Sequence, residues 1–114
     1  MSTMEIQEQR HGAVTVLKPL GPLMGSDAEQ FKNSALQQAS KSLGRLVVDA
    51  SAVPFLDSLG IECLIDLSDA LFAGGRALKL CGASETVKEA LDLAGYAASF
   101  EFIDEVNNGV RSFL

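Results

Sequence analysis

The spacing of apolar residues changes several times along this chain, and each change marks an element. Ala13-Val14-Thr15-Val16-Leu17 is rich in β-branched residues and predicts a strand. Glu5 to Gln9 precedes it across the turn signal His11-Gly12, so an antiparallel hairpin opens the fold, and Pro19, Gly21 and Pro22 end its second strand. From Ser26 the period becomes helical, with Ala28, Phe31, Ala35, Ala39 and Ser42-Leu43 recurring on one face. Ser26 and Glu29 have capping-box spacing, and Gly44 is placed to close this helix at C′. Leu46-Val47-Val48 is a short continuous apolar run, the pattern of a strand covered on both faces.

A connection containing Pro54 follows, from Asp49 to Leu56. A second helix opens near Ser58 and runs to about Phe72, with Ile61, Leu64, Ile65, Ser68, Leu71 and Phe72 on one face and Glu62, Asp66 and Asp69 on another. Gly74-Gly75 ends it. Ala77 to Cys81 predicts a strand, Ser84 caps a third helix closed by Gly95, Phe100 to Ile103 predicts a last strand, and Asp104 caps a final helix carrying Val106, Val110 and Phe113. The order β-β-α-β-α-β-α-β-α implies a single α/β domain over residues 1–114. Its sheet is mixed and mostly parallel, with an N-terminal antiparallel hairpin and about four helices. Loops at the carboxyl ends of parallel strands are where such sheets meet their ligands and partners, and the Asp49–Ser58 connection is one of these.

Composition narrows the function. Hydrophobic residues make up 47% of the 114, enough for one core, and with six Phe, one Tyr and no Trp that core is mainly aliphatic. The formal net charge of −6, with nine scattered Lys and Arg, argues against a nucleic-acid partner. No apolar run approaches the ~20 residues of a membrane span, and Met1 to Glu8 is polar without a signal core, which points to a cytoplasmic protein with no membrane partner. Cys63 and Cys81 sit in apolar runs and read as reduced core thiols.

Catalytic inventories are missing. The single histidine, His11, lies in the first turn, and no phosphate loop, nucleophile elbow or zinc pattern occurs. No base stands beside Ser58 to activate its hydroxyl. The Glu62, Asp66 and Asp69 stripe reads as a solvated face rather than a metal site. No catalytic residue, metal or cofactor is therefore expected.

Phe55-Leu56-Asp57-Ser58-Leu59-Gly60-Ile61 stands apart. Ser58 is a natural N-cap at the loop-to-helix turn, or else a functional hydroxyl. Gly60 near the first turn weakens a helix by ~1 kcal/mol against Ala, so it needs another reason, such as close approach of another chain to the backbone. Leu59 would then be an exposed apolar residue beside the hydroxyl.

The run Val47 to Ile61 resembles the signature of STAS domains, specifically of anti-sigma-factor antagonists: a strand, an Asp, a short loop, an apolar pair, then Asp-Ser-x-Gly opening a helix. Leu20-Gly21-Pro22-Leu23 resembles the family's early block and Leu78 to Gly82 its fourth strand. The resemblance implies a bacterial partner switch in transcription regulation. The unmodified antagonist binds an anti-sigma factor, itself a serine kinase with a histidine-kinase-like fold, and frees the sigma factor. Phosphorylation of the motif serine ends the complex, and a metal-dependent, PP2C-type serine phosphatase resets it. Carried onto this chain, the phosphorylated residue is Ser58. The docking residues are Asp57, Leu59, Gly60, Ile61 and Glu62, with Leu23, Met24 and Gly25 nearby. Two positions depart from the family: Leu59 stands where a small residue is usual, and Met24 where an Asp is usual. Those departures motivate an alternative, an unphosphorylated STAS scaffold or an accessory subunit of a signalling complex or ABC-type transporter. An enzyme or small-ligand binder using the carboxylates near Ser58 is a third reading.

Overall fold

The computed structural model describes residues 4–114; the first three residues of the polar Met1–Glu8 segment lie outside the described residues. The elements are β1 (Glu5–His11), β2 (Val14–Leu20), α1 (Gly25–Lys41), β3 (Leu46–Asp49), α2 (Ser58–Phe72), β4 (Leu78–Cys81), α3 (Glu85–Leu93), β5 (Phe100–Ile103) and α4 (Val106–Arg111), with a short 3-10 turn at Ala97–Ser99 before β5. This is the α/β order expected from the periodicity. The five strands lie side by side in chain order, β1 antiparallel to β2 and every later pair parallel.

The hairpin is longer than its sequence predicts. β1 continues to His11, which pairs with Val14 inside the ladder, leaving Gly12 and Ala13 as the turn. Pro19 does not end β2 but pairs with Ile6. Parallel pairing with β3 covers only Thr15 to Leu17, so Pro19 lies where β2 has a partner on one side only. A proline without an N–H is tolerated at such an edge position.

The sheet is covered unequally. Helices α1, α2 and α3 pack on one face through Ala28, Phe31, Ala35, Leu64, Leu67 and Leu91, against Leu17, Leu46, Val48, Leu78 and Leu80. On the other face α4 alone lays Val110 over Val14, Val16, Val47 and Cys81, with Val106 and Phe113 beside it. Cys63 belongs to the first cluster and Cys81 to the second, so the sheet separates the two buried free thiols. Burial, aided by the nearby Asp49 charge, pushes the Cys81 thiol up to about 11, and burial also raises that of Cys63. Both remain protonated near neutral pH.

Several helix boundaries differ from the sequence reading. Ser26 lies inside α1 rather than at its cap; Met24 holds the cap position and supplies no side-chain oxygen, so no capping box forms. At the other end Leu43, not Gly44, is the first residue past the cap with positive φ (56°), and it is 73% exposed instead of joining the buried face. On α2 the buried face is Gly60, Cys63, Leu64, Leu67, Ser68 and Leu71. Phe72, expected among them, is the last residue of the helix and is 76% exposed. Ser84 does cap α3, accepting from the Val87 amide at 3.2 Å. Glu105, not Asp104, occupies the cap position of α4, and its side chain makes no cap bond.

Candidate functional site

The carboxyl ends of β2 and β3 lead into two loops that run together and launch α1 and α2. Leu23 and Leu56 form an isolated parallel bridge between them. The Leu23 amide donates to the Phe55 carbonyl at 3.2 Å, and the Asp57 amide donates back to the Leu23 carbonyl at 3.3 Å. Sequence blocks some thirty residues apart are thus joined backbone to backbone, as the resemblance implied for Leu23–Gly25 and the Ser58 segment.

Asp57 locks this junction. Its Oδ1 accepts the Gly60 amide at 2.7 Å, which makes Asp57 the N-cap of α2. Its Oδ2 accepts the Gly25 amide at 3.0 Å, at the start of α1. Gly25 has φ of 53°, a conformation that glycine adopts without strain. One carboxylate therefore satisfies an orphan donor on each of two helices, and the positive ends of both helix dipoles favour its charge.

Because Asp57 does the capping, Ser58 is free of it. Ser58 is the first residue of α2, and it is exposed. The reading of Ser58 as the cap is therefore corrected: the oxygen that could have reached back to the helix amides was displaced by the preceding carboxylate, one residue better placed to accept from Gly60.

Gly60 is buried, and its small size serves the chain itself. A Cβ built there would lie 2.0 Å from the Leu23 carbonyl oxygen and 3.0 Å from its carbon. The close approach inferred from the sequence is real, but the approaching backbone is the β2–α1 loop rather than another molecule. Leu59 is also corrected: it is half-buried and packs against the main core, as does Ile61. A helix start pressed onto a neighbouring loop turns those side chains inward.

Of the residues the resemblance points to, Met24, Ser58 and Glu62 are exposed, Asp57 and Gly25 half-buried and Leu23 buried, and Phe55 is exposed beside them. Phe55, 44% exposed, opens the segment that the sequence sets apart but is not among the docking residues the resemblance implies; its place after Pro54 in a loop is the available signal. Glu62, Asp66 and Asp69 are all exposed, and Lys32 of α1 reaches Asp66 at 3.4 Å. Among the described residues no group of three or more His, Cys, Asp or Glu side chains is arranged to hold a metal ion, and no helix is long and apolar enough to cross a membrane.

No curated protein matches the chain in sequence at a significant level. Solved structures match it in shape. The Thermotoga maritima protein TM1081 superposes with a TM-score of 0.84 at 18% identity, covering 94% of this chain and 92% of that one. An anti-sigma factor antagonist from Mycobacterium paratuberculosis gives 0.80 at 19% identity, covering 96% and 92%. The anti-sigma factor antagonist SpoIIAA in its unphosphorylated form gives 0.75 at 18% identity, covering 96% of each chain. At these identities the likeness is one of fold. The STAS domain profile matches residues 5–109, nearly the whole chain, and with the order of strands, the paired loops and the Asp-Ser-x-Gly helix start it makes this protein a member of the STAS domain family.

Proposed function

We propose that this domain is an anti-sigma factor antagonist switched by phosphorylation of Ser58. In its unmodified form it docks the Ser58 end onto an anti-sigma factor that is also a serine kinase of histidine-kinase-like fold; phosphate on Ser58 ends the contact, and a PP2C-type serine phosphatase restores it. The observation that carries this reading is an exposed serine at the first turn of α2, relieved of capping by Asp57 and flanked by the exposed Met24 and Phe55.

Magnitudes favour a switch that acts on binding and spares the fold. A phosphoserine adds about −1.5 to −2 charges. At a helix N-terminus the dipole offsets this by ~0.3–1 kcal/mol. In a closed interface without a cation, the dianion costs several kcal/mol, and a ~100-fold loss of affinity needs only ~2.8 kcal/mol. Asp57 and Glu62 lie close in sequence to Ser58 and add no cation to receive it.

The test is mass spectrometry of the chain after incubation with ATP and the cognate kinase, followed by titration calorimetry of variants against that kinase. Phosphate should appear on Ser58 alone. Ser58→Ala should bind as the unmodified chain does, and Ser58→Asp at least tenfold more weakly. Absence of phosphate on Ser58, or equal affinity of the two variants, refutes the switch.

A further inference from the structure

The end of the sheet opposite Ser58 is where β2 to β5 begin and where α1, α2 and α3 finish. Five of the seven exposed large hydrophobics among the described residues lie there: Leu43, Phe72, Leu93, Tyr96 and Leu114; the other two, Met24 and Phe55, flank Ser58. Leu43 is the most telling. It holds φ of 56° directly before a glycine, and yet its side chain is 73% exposed. A left-handed leucine stores roughly 1 kcal/mol or more of strain, with no burial of its own side chain to offset it. It overhangs an apolar cleft of about 310 Å³ between the ends of α1 and α2, lined by Leu36, Ala39, Leu71, Gly74 and Arg76 among others. Arg76 is fixed in place, its Nε donating to the Leu43 carbonyl at 3.2 Å and its guanidinium lying 5.5 Å from the Phe113 ring centre.

Charge is segregated in the same sense. Arg76 lines the cleft, and Lys41, Arg45, Arg10 and Arg111 stand at the same end through the finish of α1, the approach to β3, the hairpin and the finish of α4, outnumbering Asp69 and Asp92 in the last turns of α2 and α3. The Ser58 end holds Asp27, Asp49, Asp57, Glu62, Glu85 and Asp104, each within about a turn of where a parallel strand stops or the next helix starts, against Lys18 and Lys88 by the same measure, so it is acidic in balance. Each end thus offers exposed apolar surface with charge of opposite sign.

We propose that the chain docks on itself head to tail, the Ser58 end of one copy seated on the Leu43–Arg76 cleft of the next. Apolar contact between Met24 or Phe55 and the cleft supplies the attraction, and the opposite charges set its direction. Such a contact is heterologous: it leaves a free head at one end and a free tail at the other, so assembly grows with concentration. Only the leading copy presents Ser58. A membrane surface would also suit a basic, apolar cleft, but it leaves the acidic, apolar end unexplained.

The experiment is sedimentation velocity on the purified chain across a wide concentration range, at low and high salt. Mass should rise with concentration at low salt, and the association should weaken at least tenfold at high salt. Leu43→Gly removes the side chain and suits the positive φ, so it folds; it should stay monomeric, as should Phe55→Glu. Mixed together, these two should form a one-to-one dimer and nothing larger, because one supplies an intact head and the other an intact tail. A wild-type chain that is monomeric throughout overturns the proposal. So does a Phe55→Glu variant that self-associates like wild type, since that contact would be tail to tail. Binding of the monomeric chain to phosphatidylserine vesicles, lost in Leu43→Gly, would assign the cleft to lipid instead. No kinase enters this test, so its failure leaves the Ser58 switch standing.

Discussion

The first turns of α1 and α2 start side by side and are satisfied in opposite ways. α2 brings its own cap: Asp57 immediately precedes it and accepts the Gly60 amide. α1 has Met24 at its cap position, with no side-chain oxygen, and the Gly25 amide is met by the other oxygen of the same Asp57, thirty-two residues on. The lesson is that the site is one object rather than two neighbouring loops. A single carboxylate and the Leu23–Leu56 bridge hold the early loop and the Ser58 segment in fixed relation, so the surface around Ser58 is preorganised by the chain itself.

That comparison can be broken at graded points. Gly60→Ala should have the largest effect. The new methyl meets the Leu23 backbone, which a side-chain rotation cannot move, and the expected loss of stability in urea unfolding is about 3 kcal/mol despite the better helix propensity of Ala. Asp57→Ala should cost roughly 2–3 kcal/mol, and native-state hydrogen exchange should quicken at Gly25 and Gly60 together. Asp57→Asn sharpens the point: one amide oxygen can still cap α2, so exchange should rise mainly at Gly25. Quickening at Gly60 alone would show that the helix starts are not coupled. Smallest is the pair of serines. Ser84→Ala should cost ~1 kcal/mol and loosen only the start of α3, whereas Ser26→Ala, which removes no cap, should fall within about 0.5 kcal/mol of wild type.

The serines also show where sequence reading succeeds. Ser84 caps α3 as its position before an amphipathic stretch implies. Ser26 has the fuller local signature, with the capping-box spacing to Glu29 that Ser84 lacks, yet the cap falls two residues earlier at Met24, where the Gly25 amide is met by Asp57. Local rules rank candidates for a cap; they cannot see an acceptor delivered from another loop. Leu59 and Gly60 repeat the lesson. Both were read as facing an outside partner, and both are engaged by the chain's own core and the Leu23 carbonyl.

What the sequence determined by itself is the order of elements, the parallel sheet behind a hairpin, and the placing of Asp57-Ser58 at a helix start. Those follow from periodicity, turn residues and chain connectivity, which are local or nearly so. The tertiary structure alone decided which of two adjacent polar residues caps α2, whose backbone Gly60 admits, and that exposed leucine and basic charge gather at the end away from Ser58. Each of those depends on distances between segments far apart in the chain, and such distances exist only once the sheet has brought their ends together.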